Sequence, residues 1–85
     1  MNLDKLPNIG KVLVSKLEKV GIKSVDDLKK AGSKNAFLRI RTHLNDGWIN
    51  MLYGLEGAIK GIRWYLLSKE EKAELKEFYN SIDLG

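Results

Sequence analysis

The chain has 85 residues, 44% of them apolar and 31% charged, with no cysteine and a formal net charge of +4. That is room for one folded unit with a small core, and it excludes a disulfide framework, a thiolate metal site and a thiol nucleophile. The first residues lack the basic and apolar regions of a signal peptide, and no apolar run approaches the roughly 18 residues that a membrane span needs, so a cytoplasmic protein is expected.

Charge is uneven along the chain. Residues 1–45 carry ten Lys and Arg against four acids, whereas residues 46–85 carry five against seven. A basic amino-terminal half suits a polyanionic partner, and it equally suits a solvated surface.

Between the glycines, apolar residues recur at three- and four-residue spacing instead of alternating, which predicts helices throughout. A first helix is expected over about 11–20, with Val12, Leu13, Leu17 and Val20 inward and Gly21 as its stop. Ser24-Val25-Asp26-Asp27 reads as an N-cap with acids in the first turn of a short helix ending at Gly32. Ser33 caps again, and a helix over about 34–44 aligns Ala36, Phe37, Ile40 and Leu44. After Asn45-Asp46-Gly47, a strongly apolar helix over about 48–62 carries Trp48, Met51, Leu52, Leu55, Ile59 and Ile62 on one wide face. Within it Gly54, Gly57, Ala58 and Gly61 form a small-residue run. Each helical glycine costs about 1 kcal/mol relative to alanine, so close approach of a neighbouring helix or of a second subunit has to offset it. Ser68-Lys69-Glu70-Glu71 is a capping box for a last helix to about Tyr79, with a frayed tail after it. The expected fold is all-α: a compact bundle of about five helices in a single domain over residues 1–85.

Catalysis finds no residue set here. The one imidazole, His43, ends a basic helix, where it suits the helix dipole better than proton transfer. The carboxylates Glu70, Glu71, Glu74 and Glu77 alternate with Lys69, Lys72 and Lys76 as a solvated face, not a chelating cluster. No enzyme activity, metal or cofactor is expected.

One segment carries a mechanism. In Leu6-Pro7-Asn8-Ile9-Gly10-Lys11, Pro7 and Gly10 tighten a turn and Ile9 plugs it into the core. Backbone N–H groups are left at a helix N-terminus, where the dipole and the unpaired donors favour an anion. The pattern resembles the helix-hairpin-helix motif, whose hairpin holds a phosphate of a nucleic-acid backbone without reading bases. Asn8 stands where DNA-binding members usually carry glycine, and asparagine tolerates positive φ. The same hairpin also serves as a packing or protein-docking device.

Further on come Leu52-Tyr53-Gly54-Leu55-Glu56-Gly57-Ala58-Ile59, Gly61, Trp64, Leu67-Ser68 and the Glu/Lys helix. In this order, after the hairpin, they are similar to the C-terminal domain of the TfoX/Sxy family of competence regulators over nearly the whole chain. The resemblance implies a bacterial helical domain tied to competence and transcription regulation, without an activity of its own and here as a stand-alone copy. Two functions stay open. One is sequence-independent contact with a DNA backbone through Asn8, Ile9, Gly10, Lys11 and Lys16. The other is docking of a regulatory protein, or of a second copy as a homodimer, through Gly54, Gly57, Gly61, Trp64 and Tyr65.

Overall fold

The computed structural model describes residues 2–84, so Met1 and Gly85, the ends of the expected unit, lie outside the described residues. A 3-10 turn, Leu3–Lys5, leads through the hairpin into α1, Lys11–Lys19, followed by α2, Val25–Leu44, and α3, Ile49–Lys60. A second 3-10 turn, Trp64–Leu66, connects to α4, Lys69–Leu84. Among the described residues there is no strand, as expected, but there are four α-helices and not about five. The difference lies at Gly32, where φ 81 and ψ 161 are non-helical: the helical path breaks there, as expected, but the two stretches adjoin across the kink and make one element, α2. That backbone region is essentially glycine-only. Ser33 does not cap a new helix; its hydroxyl donates to Glu56 Oε1 at 2.7 Å.

The other caps follow the local sequence. Ser24 Oγ accepts from the Asp27 N–H at 3.1 Å, while Asp27 Oδ2 accepts from the Lys23 N–H at 3.0 Å. Ser68 Oγ accepts from the Glu71 N–H at 3.1 Å and Glu71 Oε1 accepts from the Ser68 N–H at 2.9 Å, the reciprocal pair that the capping box predicts. The last helix runs past Tyr79 to Leu84, because Ile82 prolongs the stripe of Leu75, Phe78 and Tyr79 against the core.

The core forms where α2 and α3 pair, the most extensive contact between elements. Leu17 from α1, Ile22, Leu28, Phe37 and Ile40 from the α2 side, and Leu52 and Leu55 from α3 are fully buried in it. Two expected core residues lie outside. Val12 is 70% exposed, since the inward face of α1 is set by Leu13 and Leu17, one position further round the helix. Trp48 is 67% exposed, because it is the extended N-cap residue of α3 and its side chain does not follow the helical stripe.

Polar contacts hold α4 to the pair. Lys60 of α3 bridges to Glu71 of α4 and, at 3.8 Å, to Glu56 one turn back, and Lys34 pairs with Glu74 at 2.9 Å. The Lys60 ammonium and the cap contacts to Ser68 hold the Glu71 carboxyl down at about 2, below its ordinary 4.5. A carboxyl depressed in the folded state stabilises above its unfolded pKa, and the stabilisation disappears as pH falls toward the folded value. Urea unfolding midpoints at pH 6 and pH 3 are therefore expected to differ less for Glu71→Gln than for the unaltered chain. Equal acid sensitivity of the two proteins would contradict this origin.

Candidate nucleic-acid interface

The hairpin is anchored from beneath. Asn8 takes φ 68, and its side chain turns inward, away from the hairpin's outer edge. Both amide protons are used: Nδ2 donates to the Ile62 carbonyl at 2.9 Å and to the Gly54 carbonyl at 3.3 Å. Oδ1 accepts from the Trp64 N–H at 3.1 Å. One asparagine thus joins the hairpin to α3 and to the connection that follows it. The glycine run makes room for this. A Cβ at Gly57 would sit 2.7 Å from Asn8 Nδ2 and 2.8 Å from the Ile62 oxygen. The close approach expected of a helix is made instead by the hairpin and by residues 62–64. Gly54 and Gly57 are buried under their own chain, and Gly61 forms the left-handed C-cap of α3.

The opposite edge of the hairpin is open. Ile9, 6% exposed, plugs the turn, and Gly10 is the N-cap of α1 with no side-chain cap. The first helical bond runs from the Val14 N–H to the Gly10 carbonyl at 3.0 Å. Among the described residues nothing accepts from the N–H groups of Ile9, Gly10, Lys11, Val12 or Leu13. A Cβ on Gly10 would meet nothing within 4 Å. Unpaired donors at the positive end of a helix, unobstructed by side chains, are the physical requirement for holding an anion.

Charge around this edge comes from three parts of the chain. A shallow groove runs along the hairpin, lined by Asp4, Lys5, Pro7, Gly10 and Arg63 among others, and Lys11 stands exposed at the first position of α1. Arg63 was not a sequence candidate, because nothing local connects it with a hairpin more than fifty residues earlier. It arrives there because Asn8 fastens the neighbouring Ile62 and Trp64. Lys16 is placed differently: its ammonium pairs with Asp46 in the turn before α3, and that contact pulls the Asp46 carboxyl below its usual value.

The aromatic candidates sit on the second 3-10 turn. Trp64 stacks on Tyr53 with ring centres 6.2 Å apart and planes 8° from parallel, and Lys72 approaches its ring to 5.5 Å. Tyr65 meets Trp64 edge-on and is 59% exposed. Among the described residues no group of three or more His, Cys, Asp or Glu side chains is placed to hold a metal ion, and no helix is long and apolar enough to cross a membrane.

These features define an all-helical domain whose N-terminal hairpin is locked down on one side and has main-chain donors without an acceptor on the other. The chain belongs to the TfoX C-terminal domain family, whose model matches residues 1–79. It is 38% identical over 80 residues to Protein Sxy of Escherichia coli (strain K12), a match covering 94% of this chain but only 38% of that protein's length. Among solved structures, an uncharacterized protein from Listeria monocytogenes in a triclinic form matches with a TM-score of 0.95 and 51% identity, covering 98% of this chain and 94% of that one. A tetragonal form of a Listeria monocytogenes protein matches with a TM-score of 0.92 and 52% identity, covering 95% and 99%.

Proposed function

We propose that residues 1–85 form one non-enzymatic regulatory binding domain of the cytoplasm, whose hairpin holds a nucleic-acid backbone independently of sequence. The observation that carries this reading is the row of N–H groups from Ile9 to Leu13 that have no acceptor within the chain, with open space over Gly10. Lys11, Lys5 and Arg63 supply the long-range attraction, and Asn8 acts from behind by fixing the turn. Lys16 has to leave Asp46 before it can reach a phosphate. The competence role that the family resemblance implies then becomes a regulatory one exercised through binding alone.

About two or three neutralised phosphates, at roughly 0.9 each on duplex DNA, give a logarithmic salt slope of about −2 to −3 and weak affinity. Anisotropy titration of a labelled DNA duplex in low salt is expected to show such binding. Lys11→Glu, which places an anion beside the open donors, is expected to weaken it at least about tenfold. Equal binding by the two proteins, or none by the unaltered chain, would contradict the proposal.

A second reading is favoured by a different observation. Trp48, Tyr65 and Leu66 are large apolar side chains left well exposed, as in protein-docking surfaces. Under that reading the chain is a homodimer or an adaptor for another regulator. A solution mass rising with concentration supports self-association, and a constant monomer mass leaves only a different protein as the partner.

A further inference from the structure

We infer that the nucleic acid is unpaired: a single strand that places a phosphate at Arg63 and stacks the neighbouring base on Tyr65. The inference rests on the hairpin reading above and adds the class of ligand. A second groove, lined by Asn50, Met51, Arg63, Trp64 and Tyr65 among others, shares Asn8 and Arg63 with the groove along the hairpin. The two surfaces are thus continuous. Arg63 is the one charged residue lining this second groove, and among the described residues its guanidinium has no carboxylate partner. The surface is therefore complementary to an anion.

The rings beside it are built as a platform. Trp64 is in contact with both Tyr53 and Lys72, and Tyr65 lies against it in a T-shaped arrangement, with ring centres 6.0 Å apart and planes at 83°. Tyr65 is thereby held in position while more than half of it stays in water. A cation next to a fixed aromatic face matches the alternation of phosphate and base along an unpaired strand. A duplex keeps its bases stacked inside and leaves Tyr65 solvated. A run of acidic side chains satisfies Arg63 but brings no flat ring at the adjoining position.

The test uses the whole chain and a fluorescein-labelled oligothymidylate of about 15 nucleotides, near the upper end of known single-strand site sizes. The same sequence as a duplex, and polyglutamate as a competitor, complete it. The expected result is single-strand binding about tenfold tighter than duplex binding, a loss of roughly tenfold in Tyr65→Ala, and retention in Tyr65→Phe. Circular dichroism confirms that the exposed-site variants fold. Equal affinity for both forms with Tyr65→Ala silent overturns the inference, and if Lys11→Glu still weakens binding at least about tenfold, the hairpin reading survives. Displacement by polyglutamate at equal charge overturns it in favour of an acidic protein partner. Absence of binding to either nucleic acid overturns both readings.

Discussion

Replacing Asn8 by aspartate, a side chain of nearly the same size, is expected to lower the unfolding free energy by roughly 3 kcal/mol. The position needs two donors and one acceptor, because the Gly54 and Ile62 carbonyls both face the amide nitrogen and the Trp64 N–H faces the oxygen. An ionised carboxylate turns both donor contacts into oxygen against oxygen. Asn8→Gly keeps the positive φ but leaves the same groups unanswered, at about 1–3 kcal/mol for each buried one that water cannot reach. The aspartate variant carries a further signature. Facing two carbonyls raises the folded carboxyl above its unfolded value of about 3.9, so the ionisation part of the defect shrinks as pH falls through the raised value and is gone by about pH 4, whereas the defect of Asn8→Gly has no such dependence. Urea denaturation of the two variants at neutral and acid pH checks both points. An Asn8→Asp protein within about 0.5 kcal/mol of the unaltered chain would show that the three contacts are not what holds the hairpin.

Gly57→Ala is expected to cost about 2 kcal/mol, against the helix propensity that favours alanine over glycine by about 1 kcal/mol. The added carbon would meet Asn8 Nδ2 at 2.7 Å, the Ile62 oxygen at 2.8 Å and the Trp64 Cα at 3.2 Å, and two of those three atoms are backbone. They cannot swing aside. Gly54, one turn earlier, is the control. Its added carbon would find only Asn8 Cβ at 3.5 Å and the Asn8 oxygen at 3.9 Å, ordinary contacts, so Gly54→Ala is expected to be neutral or stabilising. The opposite sign of two identical substitutions in the same helix, read by denaturant midpoints, would locate the closest approach at Gly57. Two stabilising substitutions would contradict it.

Features set within four or five residues were legible in the sequence. The caps at Ser24 and Ser68 and the stripe of Ala36, Phe37 and Ile40 depend on helical spacing alone, and the structure has them. The glycine run signalled a close approach, but not by what, since Asn8 lies 46 residues before Gly54 and 54 before Ile62. Gly32 was legible as a break in the helical path, and its φ 81 and ψ 161 are indeed non-helical; that the next stretch begins at once, making one kinked element, was not. Trp48 misled because composition assigns it to a buried face, while its N-cap backbone places it outside the helical period. The hairpin edge was read from local residues, and its neighbours Arg63 and Tyr65 were joined to it only by the fold.

The most direct measurement is an amide proton–nitrogen NMR titration of the isotope-labelled chain with a short oligonucleotide in low salt. The amide signals of Gly10, Lys11 and Val12 are expected to move first and to saturate together, with the Trp64 amide, already bonded to Asn8, moving less. Signals at residues 9–13 that stay fixed while those elsewhere shift would contradict a phosphate held by the hairpin.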